Sequence, residues 1–454
     1  MAGQVIDIAQ TIDRLPMGRF QYLIFLMCGA TLFVEGYDTQ AIAYVAPAVA
    51  NDWHLSRGAL GPVFGAGLFG LMIGSFLIAP LADRIGRRNI ILLSTVFFGA
   101  MTLATPLVHS VSELLILRLV TGIGLGGAMA NAVTMAAEYA PAHRRASIAM
   151  IVFTGFPIGS AVGGLVAAWL LSAGGWHAVF VLGGAVTLVF AAVLLVKLPE
   201  SARFLVLRDA ADERLAHIMA RIGGAALAEP GHRFVSGEAV VPRAAIGQLF
   251  RENRGIVTPL LWVVYFMSLL DLYLLASWLP TTIHAQGISV GMAVVVTSLL
   301  QVGGILGALT LGGLVQRFGA FRVMPVAYVL AAVSIACIAF VGGSIGLTMA
   351  AVFCAGFTVI GGQNCNNGLA SIIYPTPIRA TGVGFANAVG RIGSVTGPTI
   401  AGIMLSMDSD VRAIFLFGAI PPLCAAAALI GIGRQRSGAV PVQASWASQA
   451  RREG

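Results

Sequence analysis

Two carboxylates, Glu35 and Asp38, interrupt the first long apolar stretch of the chain. They are three residues apart, so a helix places both on one face. An ionisable side chain at membrane depth costs roughly 2.5 to 3.5 kcal/mol on insertion scales, and such residues mark ion or proton pathways. A carboxylate in this position can bind and release a proton. The spacing therefore predicts a proton-coupling face with a partner on another helix.

Two further ionisable residues, Arg118 and Asp271, lie inside other apolar stretches. Arg118 enters the fourth stretch at about the depth of Glu35 and Asp38, so we expect it to pair with them and to bias their protonation. A permanent salt bridge that only locks two helices is the competing interpretation. Asp271 is predicted to be a second proton carrier or a hydrogen-bonding wall of a cavity, and both readings stay open.

Arg391 lies about 12 residues into the eleventh apolar stretch, roughly 18 Å deep. Its guanidinium is a planar fork that matches a carboxylate bidentately. Arg391 is therefore the predicted anchor for an anionic substrate. An ion pair between Arg391 and Asp271 is the alternative.

Side chains for the rest of a ligand come from amides and aromatic rings. Amide side chains are costly in lipid unless they form hydrogen bonds across helices or to a ligand. Ligand binding and helix packing are therefore both possible roles for them. Aromatic residues offer faces for stacking on a ring, although ordinary packing is the default for each. The predicted contacts are Tyr37, Phe156, Gln363, Asn364 and Asn367, with Asn366 in the same amide cluster.

These residues have to be positioned by helices that cross a membrane. Of 454 residues, 58% are hydrophobic and 10% charged, whereas soluble proteins have about 25% charged residues. The mean hydropathy is +0.89. Apolar stretches of about 20 residues recur along the chain. They predict an all-α polytopic membrane protein with twelve transmembrane helices, near 20–48, 58–80, 89–109, 113–138, 146–172, 176–197, 255–284, 288–314, 322–342, 346–374, 380–406 and 411–433.

The chain contains an internal repeat. Arg145-Ala146-Ser147 recurs as Arg379-Ala380-Thr381, and Ile158-Gly159-Ser160 recurs as Ile392-Gly393-Ser394, both at an offset of 234 residues. Six helices are duplicated, and Asp38 aligns with Asp271 at nearly the same offset. Parallel repeats of this kind bind substrate near the midplane between the two halves.

The repeat predicts three parts of the chain. Residues 1–198 form an N-terminal six-helix half, and residues 255–454 form a C-terminal six-helix half with a cytoplasmic tail. Residues 199–254 break the apolar pattern and are predicted to be a cytoplasmic linker with a short amphipathic helix around 210–222. Lys and Arg concentrate in the termini and alternate loops, so both termini are predicted to be cytoplasmic.

Several functions are disfavoured by the same sequence. The net charge of +8 follows from loop topology, so no nucleic-acid partner is predicted. The five cysteines lie in apolar stretches without a CxxC spacing, and no metal site is indicated. The run 122–127 matches G-x-G-x-x-G, but it lies inside an apolar helix instead of after a strand. We expect no cofactor and no enzyme activity.

The motifs resemble those of a known transporter family. The run 83–88, Asp-Arg-Ile-Gly-Arg-Arg, resembles the signature loop of the major facilitator superfamily, and 199–204 resembles its sugar- and acid-transporter branch. Runs 35–41, 122–129 and 155–159 are similar to those of the aromatic acid:proton symporters. The family usually has Asp at the position of Glu35, so the first carboxylate side chain is one methylene longer in this chain.

The resemblance implies the major facilitator fold and a charge cluster that locks one access state and releases in the other. Charges that only set topology are the alternative for this cluster. The predicted gating residues are Asp83, Arg84, Arg87, Arg88, Glu138, Arg144 and Arg379.

The predicted function is a proton-coupled secondary transporter in the bacterial inner membrane. It imports a monocyclic aromatic carboxylate of the benzoate or hydroxybenzoate type by alternating access, with protons and the lipid bilayer as its other partners. A transporter or exporter of another organic anion or drug is the alternative, and a transporter-fold ligand sensor is more distant. The sequence leaves the ring substituents, proton stoichiometry, direction, oligomeric state and conformational state open.

Overall fold

The computed structural model describes residues 5–56, 58–208, 213–224, 232–235, 246–252, 254–341, 344–407 and 409–437. Strand β1 (Val5–Asp7) precedes helix α1 (Ile8–Arg14). The N-terminal half then consists of α2 (Arg19–Asp52), α3 (Gly61–Leu77), α4 (Ala82–Ile85), α5 (Arg87–Ala104), α6 (Val111–Glu138), α7 (Arg145–Phe153) and α8 (Gly155–Lys197).

The connecting segment and the second half follow in order. The connection contains α9 (Ala202–Arg208), α10 (Glu213–Gly223) and strand β2 (Arg233–Val235), which pairs in parallel with β1. The C-terminal half consists of α11 (Val257–His284), α12 (Val290–Phe318), α13 (Ala320–Ile338), α14 (Ile345–Ile373), α15 (Thr376–Ser406), α16 (Val411–Gly418) and α17 (Ile420–Ser437).

The described part of the chain crosses a membrane twelve times. Ten helical runs are long and apolar enough to span. One of them, the 56-residue run Ala142–Lys197, breaks at Gly175, where φ is 68°, and this break divides it into two crossings. Helix α15 has 31 residues and is more polar, but it packs along α11 and α3 and supplies the twelfth. The predicted fold class is confirmed.

The repeat is visible in how the helices pack. A Cβ added at Gly159 would collide with the backbone carbonyl of Phe33, and one added at Gly393 would collide with that of Phe266. The two glycines are 234 residues apart, and their partners are 233 apart. Small residues let helix backbones approach closely. The same close approach therefore joins α2 to α8 in one half and α11 to α15 in the other.

The connecting segment contains the predicted amphipathic helix. Helix α10 buries Leu215, Ile218, Met219 and Ile222, a spacing that places all four on one face. It begins at Glu213, whereas positions 210–212 of the predicted range lie outside the described residues. Most of 225–245 and the tail 438–454 also lie outside the described residues. The division of the chain at residues 199 and 254 stays a prediction.

We call the end of the bundle that carries α1, α10 and the α6–α7 connection the linker end, and the opposite end the distal end. The two halves meet through α3 with α15, α8 with α12, and α2 with α11. The closest approaches lie toward the distal end, where Gly58 and Gly61 meet Gly402, and Gly164 meets Ser298. The structure is therefore closed at its distal end.

Candidate functional site

A central cavity of about 150 Å³ lies between the two halves. Its two walls differ in chemistry. The N-terminal half contributes mostly apolar side chains, namely Gln40, Met129, Phe153, Phe156 and Pro157. The C-terminal half contributes the polar side chains Tyr273, Gln301, Gln363, Asn364, Asn367, Asn387 and Arg391, with Leu269, Leu272, Ala276 and Ile360. Such a site suits a flat molecule with one apolar face and polar edges.

Arg391 is the cation of this cavity. It lies midway along α15, and its Nη2 atom is 3.8 Å from the sulfur of Met129 in the other half. Within the described residues it forms no ion pair with a carboxylate, so the predicted alternative of an Arg391–Asp271 pair is absent. A guanidinium on a cavity wall without a fixed counter-ion can bind a ligand carboxylate.

Glu35 is buried beside this cation. Neither of its carboxylate oxygens has a hydrogen-bond partner in the described chain. Arg391 of the opposite half is close enough for its charge to act on Glu35. The two carboxylates predicted to share a face therefore have different partners, because Glu35 interacts with a cation of the opposite half.

Asp38 forms the ion pair predicted with Arg118, at 3.6 Å between Oδ2 and Nη1. The hydroxyl of Thr102 donates to the other carboxylate oxygen, and Arg118 donates to the Thr105 hydroxyl at 2.7 Å. The guanidinium also lies 5.0 Å from the centre of the Phe180 ring. Both charged side chains are almost completely buried. The threonines and Phe180 were not predicted, since their spacing gives no signal in sequence.

Asp271 has the position of Asp38 in the second half but not its partners. Both of its oxygens are buried without a hydrogen-bond partner among the described residues. Asp271 faces α13 and α16: a Cβ added at Gly418 would lie 3.4 Å from Ile335 and 3.7 Å from Asp271. Asp271 therefore does not line the cavity in this structure, and its two possible roles stay predictions.

Tyr37 is also placed differently from the prediction. Its hydroxyl donates to the backbone carbonyl of Val179 at 2.8 Å, and its ring lies against Gly163 and Gly183. These contacts hold Tyr37 inside the N-terminal half, away from the cavity. Phe156 lines the cavity as expected.

Three of the four clustered amides line the cavity as predicted, namely Gln363, Asn364 and Asn367. Asn366 faces the interior of the C-terminal half instead, where its amide donates to the Tyr328 hydroxyl at 2.9 Å. Asn387 lines the cavity and was not predicted. Its position one turn before Arg391 on α15 was the available signal, since residues four apart share a helix face.

Four of the predicted gating charges form contacts at the linker end of the N-terminal half. Arg87 pairs with Glu138 at 2.7 Å and with Asp83 at 3.1 Å. Arg88 donates to the backbone carbonyls of Leu198 and Leu195 at 2.7 and 2.6 Å. The remaining predicted residues lie outside these pairs: Arg84 and Arg144 are exposed, and Arg379 donates to the Tyr374 carbonyl at 3.3 Å in the other half.

Glu200 completes this cluster and was not predicted as a site residue. Its carboxylate accepts the backbone N–H of Arg88 at 3.0 Å and that of Ser201 at 2.8 Å. Arg88 is in the first turn of α5, where backbone N–H groups lack helical partners and favour an anion. Gly86, with φ of 98°, leaves room for this carboxylate, because a Cβ there would collide with it.

The sequence that forms these two six-helix halves and their central cavity matches a known family. The model of the Major Facilitator Superfamily matches residues 28–398 and 261–451. The chain belongs to this superfamily. A gallate transporter of Pseudomonas putida is 38% identical, with 96% of this chain and 97% of that protein covered. The 4-hydroxybenzoate transporter PcaK of Pseudomonas putida is 36% identical, covering 95% and 96%.

Other comparisons agree with this assignment. The 3-(3-hydroxy-phenyl)propionate transporter of Escherichia coli is 33% identical, with 90% of this chain and 94% of that protein covered. A bacterial homologue of the human lysosomal transporter Spinster has the same fold, with a TM-score of 0.71 at 19% identity, covering 92% and 98% of the two chains. These relatives are named as transporters, and the family resemblance found in the sequence is confirmed.

Proposed function

We propose that the protein is a proton-coupled secondary transporter that imports a monocyclic aromatic carboxylate. The observation that carries this proposal is Arg391, which forms no ion pair within the part of the chain that the structure describes and lines a cavity whose opposite wall contains Phe156 and Met129. The guanidinium fits a carboxylate, and the apolar wall fits a ring. Relatives named for gallate and 4-hydroxybenzoate support the same substrate class.

Proton coupling follows from competition for Arg391. Ionised Glu35 neutralises part of the Arg391 charge, and a substrate anion needs that charge. Protonation of Glu35 removes the competitor, so a proton and an anion bind together more readily than the anion alone. One proton per anion carries no net charge, and a second proton adds about 2.3 kcal/mol of driving force per 100 mV.

Two sites are candidates for a second proton. Asp38 is ion-paired with Arg118, and Asp271 has no partner in the described chain. Both stay predictions.

The proposed orientation places the linker end in the cytoplasm of a bacterial cell, with the protein in the inner membrane. The distal end is closed here, so the closed side of this structure is the periplasmic side in that orientation. The cluster around Arg87 and Glu138 then lies at the cytoplasmic ends of α5 and α6, where it biases one access state.

Uptake into proteoliposomes tests the proposal. We expect native protein to accumulate radiolabelled 4-hydroxybenzoate when the outside is acidified. Glu35→Gln should keep counterflow exchange but lose accumulation, because it binds substrate without a titrating carboxylate. Glu113→Gln is the control, since Glu113 is an exposed carboxylate at the distal end of α6.

Two results would contradict the mechanism. Accumulation against a gradient by a Glu35→Gln and Asp38→Asn double variant, driven by external acid, would exclude these acids as the coupling groups. Normal substrate affinity in both Arg391→Lys and Arg391→Gln would exclude Arg391 as the anchor. For a buried bidentate contact we expect at least a tenfold loss in each.

A further inference from the structure

We propose that Asn367 and Asn387 form a second polar subsite of the cavity, which binds a ring hydroxyl group and makes hydroxylated aromatic acids better substrates than benzoate. The inference rests on the proposed function and assigns the end of the ligand opposite its carboxylate.

The two amides are held in place by a network that joins three helices. The Tyr265 hydroxyl of α11 donates to Asn367 Oδ1 at 3.1 Å, and Asn387 Nδ2 of α15 donates to the same oxygen at 3.4 Å. Asn387 Nδ2 also donates to the Val383 carbonyl at 3.0 Å. The orientations of both amides are thereby set by their neighbours instead of by a ligand.

This network leaves one donor and one acceptor for a ligand. Asn367 Nδ2 and Asn387 Oδ1 have no hydrogen-bond partner within the described residues, and both side chains line the cavity. A hydroxyl group both donates and accepts a hydrogen bond. A phenolic hydroxyl between these two atoms would satisfy both, whereas an unsubstituted ring edge would leave both unpaired.

The position relative to Arg391 fits a small aromatic acid. Asn387 precedes Arg391 by four residues, so the two share one face of α15 and are separated by about 6 Å along its axis. This separation is comparable with the length of a benzene ring. A carboxylate at Arg391 would therefore place the far edge of the ring beside Asn387 and Asn367, with a ring face against Phe156.

Hydrogen bonding at such a position discriminates more than shape does. Asn367 is exposed and Asn387 is half-buried in this structure, so a bound ring without a hydroxyl group would displace water from both amides without replacing its hydrogen bonds. A net hydrogen bond corresponds to about fivefold in affinity, and two bonds to about 25-fold. We expect the native protein to bind 4-hydroxybenzoate or 3,4-dihydroxybenzoate about 5- to 25-fold more tightly than benzoate.

Inhibition of counterflow by benzoate, 4-hydroxybenzoate and 3,4-dihydroxybenzoate tests the subsite. Asn387→Leu and Asn367→Leu should each lower the affinity for the hydroxylated acids relative to benzoate by about 5- to 25-fold. Thr358→Val is the matched control, because Thr358 lies on α14 outside the cavity and its hydroxyl bonds within its own helix.

The outcomes separate the two proposals. If native protein and both variants bind benzoate but show equal ratios between the hydroxylated and plain acids, the subsite is wrong and the proposed function stands. If native protein binds none of the three acids, the proposed function itself fails. Loss of all three acids in a variant that still purifies as a folded monodisperse protein would assign the amides to the general cavity wall and overturn the subsite.

Discussion

At the scale of single residues, four charged side chains within the membrane-spanning helices distinguish this transporter site. Asp38 and Arg118 neutralise each other inside one half, whereas Glu35 and Arg391 interact across the two halves. Only the interaction between Glu35 and Arg391 changes when the halves move apart. Glu35 is therefore the first candidate for proton coupling. The Asp38–Arg118 pair is explained more simply as an ion pair that locks α2 to α6.

The locking role makes a stability prediction. Arg118→Met leaves Asp38 buried without its cation, which costs about 3 to 5 kcal/mol in other proteins. We expect a lower thermal unfolding midpoint in detergent, with most of the loss recovered by adding Asp38→Asn. Arg412→Met, at an exposed arginine of α16, is the control. An unchanged midpoint in Arg118→Met would show that the pair contributes no stability.

Asp271 gives a different prediction because its carboxylate has no hydrogen-bond or ion-pair partner among the described residues. A buried carboxylate ion without a partner is costly, whereas a neutral acid or an amide is tolerated far better. Asp271→Asn should therefore keep the thermal midpoint and counterflow exchange. If Asp271 carries a coupled proton, steady-state accumulation driven by a pH gradient falls at least tenfold. Native accumulation in this variant would remove Asp271 from the coupling residues.

At the scale of elements, the start of α5 depends on a residue 112 positions away in sequence. The Glu200 carboxylate occupies the N-terminus of the helix, where Gly86 leaves room for it. The same segment joins α8 to α9, so this contact fixes α5 against the end of the sixth crossing.

Removing the cap should weaken this contact. Glu200→Ala is expected to destabilise the first turn of α5 by about 1 kcal/mol, the usual effect of a lost helix cap. Hydrogen exchange at the amides of Arg88 and Asn89 should speed up about fivefold. Glu200→Gln keeps an acceptor and should show a smaller change. Equal exchange in all three proteins would contradict the capping role.

At the scale of the whole molecule, the two halves touch through glycines at the distal end. Gly402 faces Gly58 and Gly61 so closely that a Cβ on it would meet backbone. Alternating access requires this contact to open and reform. The closed end therefore depends on the absence of side chains, which makes it easy to block.

A bulky residue should hold the distal end open. Gly402→Leu is expected to reduce uptake below a tenth of the native rate, while binding from the distal side persists. Gly313→Leu is the matched control, because nothing lies within 4 Å of a Cβ there. Uptake assays and ligand-induced fluorescence changes in the same preparations measure both properties. Native uptake by Gly402→Leu would mean that this contact does not control access.

The sequence by itself determined the twelve crossings, the repeat, the superfamily and the ion pair between Asp38 and Arg118. These features can be read without a structure because their signals are local or periodic. The signals are the length of the apolar stretches, the repeat offset of 234 residues and the charges at membrane depth. Arg391 and three of the amides were also found this way, since polar groups in an apolar helix need a partner or a ligand.

Only the tertiary structure decided which way these side chains face. Asp38 and Asp271 are equivalent in the repeat, yet Asp38 contacts Thr102 and Arg118 whereas Asp271 lies close to Gly418 of α16. Tyr37 turned away from the cavity and Asn387 toward it. These outcomes depend on the rotation of each helix and on contacts between residues more than 100 positions apart. A sequence records the residues on a helix, but the packing of all its neighbours sets the face that meets the substrate.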